Sequence, residues 1–160
     1  MKPSNHRLAE RRLISLVQDG QWEVDADGRV WRVGMRHGLR AGGSQVIPVR
    51  RRRAEKILPL GYMMLRAVLD GVRVVGLAHR VVWQHLRGDI PEGMVINHRN
   101  GVKDDNRPAN LECVSYSENT IHAHRVGLID QRGQRNPAAK LSDHDVAAIR
   151  IAYAGVGVTM

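Results

Sequence analysis

The stretch MVINHRNGVKDDNRPANLECVSYSEN, from Met94 to Asn119, decides how this chain is read. Met94 to Asn97 is a short apolar strand signal after the turn residues Pro91 and Gly93, and Leu111 to Val114 is a second. Between them the chain from Arg99 to Asn110 is polar and holds Gly101, Asp104, Asp105, Asn106 and Pro108, the composition of a loop. Ser115 and Glu118 form a Ser-x-x-Glu capping box, which starts a helix that Gly127 ends. The order is therefore strand, loop, strand, helix. His98 closes the first strand, Asn110 stands just before the second, and Asn119 lies in the first turns of the helix. A hairpin packed on a helix can bring its strand end and the helix's N-terminal region to one point, where an imidazole and two amide oxygens would converge.

That set suits metal-assisted phosphodiester hydrolysis, in which a neutral imidazole takes a proton from water while a divalent cation offsets the charge building on phosphate and leaving oxygen. Histidine suits the base role because its ordinary pKa of about 6.5 lies near working pH. Oxygen ligation points to a hard ion, Mg²⁺ or Mn²⁺, that keeps waters and uses the substrate's phosphate oxygens. Spacing alone leaves a second reading open: Asn106 and Asn110 also suit turns closed by local side-chain to backbone bonds.

Working outward, Ala78 to Arg87 has helical periodicity with Val82 and Leu86 one turn apart, and Gly88 ends it. Before it, Tyr62, Met64, Arg66 and Val68 alternate up to Asp70-Gly71, after which Val72, Val74 and Gly76 resume the period, so a hairpin is expected. A second Asp-Gly pair, Asp27-Gly28, separates Trp22–Val24 from Arg29–Val33 and predicts another hairpin. Residues 7–19 place Ala9, Leu13, Leu16 and Val17 on one helical face. Residues 34–56, broken by Gly38, Gly42, Gly43, Ser44 and Pro48, read as a linker or long loop. Within it Arg50, Arg51, Arg52 and Arg53 are either a solvated tract or a phosphate-contacting patch. Near the C-terminus Ser142 and Asp145 cap a last helix carrying Ile149 and Tyr153, with Gly155 as its break.

Composition sets the outer limits. At 160 residues the chain has room for about one domain, and 25 Lys+Arg against 16 Asp+Glu leave a net charge of +9, which makes nucleic acid the leading partner class. The single cysteine, Cys113, excludes an intrachain disulfide and a multi-thiolate zinc site. The mostly apolar run Ile57 to Leu65, broken by Pro59 and Gly61, is far short of a bilayer span, and the run Leu13 to Val17 is too short for a signal peptide. A soluble intracellular protein is expected, with no membrane partner.

The run Ala78-His-Arg-Val-Val-Trp83, then Gly88, Pro91 and Gly93, Val95-Ile-Asn-His98, Asn100-Gly101, Asn106-Arg107, Asn110-Leu111 and Ser117-Glu-Asn119 resembles the HNH nucleases. It is most similar to the phage and intron-borne HNH homing endonucleases. The resemblance covers about residues 60–127 and implies an α+β protein with a ββα-metal catalytic unit that hydrolyses double-stranded DNA. It implies His98 as general base, Asn97 and Asn119 as metal ligands, and Asn110 as the residue that holds the loop and orients the histidine. At the Asn97 position the family often has Asp, so a neutral amide stands where a carboxylate would bind the ion more strongly. His122, three residues beyond Asn119, lies on the same helix face and reads as a group that supports the metal ligands or contacts a phosphate, or as a surface histidine. His79, Arg80, Arg107 and Arg125 join Arg50 to Arg53 as expected DNA contacts, with Arg132 and Arg135 as further phosphate contacts.

The expected organisation is residues 1–56 as helix, hairpin and basic linker, 57–128 as the HNH catalytic domain, and 129–160 as a linker and C-terminal helix. The last segment resembles the opening of a helix-turn-helix, whose groove-reading helix is not in the sequence. A catalytically impaired HNH-fold protein that binds DNA is the rival reading, and Asn97 is its best support. An RNA-binding assembly protein would account for the charge but not for His98, Asn110 and Asn119 together.

Overall fold

A computed structural model describes residues 5–38, 43–129, 135–136 and 138–154, with side chains from Arg7 onward. The element order is α1 (Asn5–Gln18), β1 (Trp22–Val24), β2 (Val30–Gly38), β3 (Ser44–Arg53), β4 (Glu55–Ile57), β5 (Met63–Leu69), β6 (Val72–Leu77), α2 (Ala78–Arg87), β7 (Met94–His98), β8 (Leu111–Ser115), α3 (Tyr116–Arg125) and α4 (Asp143–Ala154). The strands form three antiparallel sheets, β1-β2-β3, β4-β5-β6 and β7-β8, in an α+β arrangement. By compactness the chain divides into a unit ending at Asn119 and a unit beginning at Thr120.

The first unit has one core. Leu13, Ile14 and Leu16 of α1 meet Trp22 and Val30 of the first sheet, Leu65, Ala67 and Val74 of the second, Ala78, Val81 and Val82 of α2, and Ile96 and Leu111 of the β7-β8 hairpin. This cluster crosses residue 56, so α1 and the first sheet are packed with the segment expected to hold the chemistry. Glu10 on α1 adds a polar tie, accepting from the Arg80 guanidinium and, at 3.0 Å, from Gln84 of α2.

The Asp70-Gly71 hairpin forms as expected, with both residues at positive φ, as a two-residue turn of this hand requires. On β5 the buried face is the opposite of the expected one, Leu65 and Ala67 being buried while Arg66 and Val68 face outward; on β6 Val74 of the expected period is buried and pairs with Ala67. The first hairpin also forms, but its turn runs from Asp25 to Arg29. The Asp25 carboxylate organises it, accepting from the backbone N–H of Asp27 and Arg29 and from Trp31 Nε1.

The expected linker over residues 34–56 is largely strand. β3 pairs with β2 from Gly38↔Ser44 back to Trp31↔Arg53, with a register shift between Arg32 and Gly34. Pro48 is accommodated because β3 is an edge strand, where a missing N–H costs no ladder bond. The arginine run extends for the same reason, as cross-strand neighbours supply what the local sequence lacks.

In the second unit α4 begins with the predicted box, Ser142 Oγ donating to Asp145 Oδ2 at 2.7 Å and accepting from its backbone N–H at 3.0 Å. Its apolar stripe is exposed at Ile149 and Tyr153. Gly155 and Arg132 lie outside the described residues. Among the described residues no helix is long and apolar enough to cross a membrane.

Candidate active site

β7 ends at His98 because the chain must turn at Asn100-Gly101, and the strand places the imidazole on the core side with Ile96. The ring is 4% exposed. Its edge meets the ring of His79, the second residue of α2, at a centroid distance of 4.9 Å, and Tyr62 lies 6.1 Å away. His98 Nε2 is 3.0 Å from Asn106 Oδ1. With that oxygen as acceptor, Nε2 carries the proton and Nδ1 is the basic nitrogen.

Burial pushes the His98 pKa below its ordinary value, against the upward pull of the Asn106 bond and of Asp105 and Asp104. The ring is therefore neutral near pH 7 and able to accept a proton. His79 is driven further, down to about 3, by burial and by its neighbours His98 and Arg80. Its Nδ1 is buried without a hydrogen-bond partner among the described residues. It packs against the candidate base and does not face solvent, where it would have to be to make the expected DNA contact.

The loop between β7 and β8 is held from within. Asn110 accepts from the Asn100 backbone N–H at 3.1 Å and donates to the Asn100 side chain and the Asp105 carbonyl at 3.0 and 2.8 Å. Arg107 grips Asp105 with two guanidinium bonds, which hold that carboxyl down to about 2. Asn110 thus bonds the loop, whereas the amide bonded to His98 is that of Asn106, a residue whose sequence context reads only as a turn. The eight-residue separation from His98 to Asn106 carries no signal until the loop is closed.

Asn97 turns to the other face of β7, where Nδ2 donates to Glu112 Oε1 at 2.8 Å across the 97↔112 register pair. Its Oδ1 stays available as an acceptor. Glu112, which the motif reading missed, also accepts from Arg99 at 3.1 Å. The antiparallel register of the hairpin is the signal that would have found it. Asn119 stands in the first turns of α3 and is half-buried; Ser115 and Glu118 form the predicted box at this helix start. His122 is half-buried and belongs to the second unit. The Asn97 amide oxygen and the Glu112 carboxylate beside it are hard donors that fit a divalent oxygen-seeking ion. Among the described residues no three of His, Cys, Asp and Glu form a ready cage.

β-strand alternation sorts the arginine run. Arg51 and Arg53 stack over Trp31 at 4.3 and 5.3 Å and pair with Glu23 and Glu55 respectively. Arg50 and Arg52 have no acidic partner among the described residues, and Arg52 lies across from Arg32, whose pKa burial and Arg52 both lower. Arg32, Arg50, Arg52 and Arg66 line a groove of about 920 Å³ with Trp22 and Val49, which Arg51 also reaches. Arg80 is committed to Glu10, Arg107 to Asp105, and Arg125 closes α3 in the second unit.

Residues 76–121 match the HNH endonuclease family. YosQ, a SPbeta prophage-derived protein of Bacillus subtilis (strain 168) named as an HNH homing endonuclease, is 44% identical over 68 residues, 42% of this chain and 39% of that protein. The chain thus matches well under half the length of this relative. A solved structure titled for DNA binding and cleavage by the HNH homing endonuclease I-HmuI is similar at 22% identity and a TM-score of 0.49, over 84% of this chain and 61% of that one. The family match spans α2, the β7-β8 hairpin and the start of α3, in agreement with the resemblance read from the sequence.

Proposed function

From the HNH endonuclease segment at residues 76–121 as premise, we propose that this chain is a divalent-metal-dependent endonuclease that hydrolyses phosphodiester bonds of double-stranded DNA. The observation that carries the reading is the imidazole of His98, neutral through burial and bonded at Nε2 by Asn106. In the step, the water oxygen attacks phosphorus, the water's proton passes to His98 Nδ1, and the bond from phosphorus to the leaving oxygen breaks. Asp104 and Asp105, which favour the charged ring, stabilise the imidazolium that results. Asn97 Oδ1 and Asn119 would hold Mg²⁺ or Mn²⁺ beside Glu112. When bound, the ion supplies positive charge to the phosphate and leaving oxygen.

Arg50, Arg52, Arg32 and Arg66 offer four cations to the DNA backbone, which orients the duplex without reading its sequence. A homing-type role in a phage-infected cell accords with the prophage origin of the YosQ relative. The burial of His98 and the neutral Asn97 favour one second reading, an HNH-fold protein that binds DNA without cutting it.

Incubating supercoiled plasmid with the chain, with Mg²⁺ or with chelator, separates the two. Metal-dependent nicking or linearisation, lowered at least ~10²-fold by His98→Ala with DNA affinity retained, is expected from loss of a general base. Retarded but uncut DNA under every metal tested would favour the binding protein.

A further inference from the structure

Gly28, in the first hairpin turn, packs against the loop that holds His98. It is buried, with φ of +70°, and a Cβ placed there would stand 1.9 Å from the backbone carbonyl oxygen of Asn106 and 2.4 Å from its carbonyl carbon. Heavy atoms at a Cβ do not approach that closely, so one partner would have to move by more than about 1 Å. The obstacle is main chain, which cannot swing aside as a side-chain tip can.

Neither partner is free to give way. The hairpin turn is fastened by the three bonds to the Asp25 carboxylate, and Gly28 N–H itself donates to the Asp25 carbonyl at 2.9 Å. The loop is fastened by Asn110 to the Asp105 carbonyl and by Arg107 to the Asp105 carboxylate. Asn106 is 3% exposed, and its side chain receives His98 Nε2. Displacing its backbone therefore displaces the oxygen that fixes which imidazole nitrogen carries the proton.

We infer that Gly28 is a positioning residue: the first hairpin, about seventy residues before His98 in sequence, sets the tautomer and orientation of that imidazole through the backbone of Asn106. A glycine is required by the contact and not merely by the positive φ. Gly20 has nearly the same φ, +72°, with nothing within 4 Å of the Cβ site. Gly20→Ala carries the same backbone strain without the overlap, which makes it the matched control.

The test is the ¹⁵N spectrum of the histidine rings followed through a pH titration, with single-turnover cleavage alongside. Gly28→Ala is expected to move the His98 resonances from an Nε2–H tautomer toward a mixture and to shift its titration midpoint. Gly20→Ala should leave both as in the wild type. Asp25→Ala loosens the turn without adding an atom, and is expected to broaden or split the same resonances if Gly28→Ala does not fold.

For cleavage, a displacement of about 1 Å predicts a fall in kcat of at least ~10-fold with KM little changed. This arm rests on the proposed base role of His98, whereas the ring titration does not. Unchanged cleavage with a displaced ring titration would reject the base and keep the coupling. His98 resonances that match the wild type in both Gly28→Ala and Asp25→Ala, or that move equally in Gly20→Ala, would overturn the inference.

Discussion

In the proposed site Asn97 brings an amide where a carboxylate would bind a divalent ion more strongly, and the Glu112 carboxylate lies 2.8 Å from it on the neighbouring strand. Asn97→Asp removes the Nδ2–H donor and sets two anions against each other, so in chelator the variant should melt below the wild type. Mg²⁺ should then raise its melting temperature by more than it raises that of the wild type, because an ion that binds only the native state stabilises it by an amount that grows logarithmically as Kd falls. Glu112→Gln should show the smallest Mg²⁺ response of the three. Equal responses in all three would mean that Asn97 and Glu112 do not face the ion. At this scale the places of His98, Asn97, Asn110 and Asn119 along strand, loop and helix were legible, since that spacing is a local property. Asn106 and Glu112 were not, because their contacts exist only after the hairpin closes in register.

The basic strand β3 shows what an element does to a charge run. Four consecutive arginines look equivalent in sequence, yet period-two geometry turns Arg51 and Arg53 onto Trp31 and their acids, and leaves Arg50 and Arg52 without acid partners among the described residues. Arg50→Ala with Arg52→Ala should flatten the salt dependence of DNA binding, lowering the slope of log K against log salt by about 2 if each neutralises one phosphate. Arg51→Ala with Arg53→Ala should leave that slope nearer the wild type. It should instead cost stability, about 0.5–1 kcal/mol for each exposed cation–π contact. Filter binding across a salt series and chemical denaturation check the two halves, and equal slopes for the two double variants would contradict the sorting. Pro48 and the glycines around residue 40 concealed β3, because strand formation there depends on pairing with β2. Asp70-Gly71, by contrast, specifies its turn locally through two residues at positive φ, and that turn was readable in the sequence although the buried face of β5 was not.

For the molecule as a whole, the core that runs from α1 through both N-terminal sheets to the β7-β8 hairpin makes the stability of the first unit inseparable from the state of its buried histidines. His79, at about 3 in the folded chain against 6.5 when exposed, binds its proton more readily in the unfolded state. Its contribution is complete above about pH 6.5 and is lost as pH falls toward 3, at roughly 1.4 kcal/mol per unit of separation. His98, lowered as well, adds in the same direction. Denaturant unfolding at pH 7, 6 and 5 should therefore show falling stability, and His79→Leu should flatten that trend. An unaltered pH dependence in the variant would place the acid sensitivity elsewhere. Such coupling was not visible in sequence, where His79 reads as a packing or phosphate-positioning residue.

The most direct measurement is the single-turnover rate of DNA cleavage against pH at saturating Mg²⁺, over the range in which the fold is retained. With His98 as a base whose pKa burial has lowered, the rate should rise from acid pH along a limb with its midpoint below 6.5 and level off near neutrality. That limb should vanish with the activity in His98→Ala. A rate independent of pH from 5 to 8, or a limb that survives His98→Ala, would contradict the account.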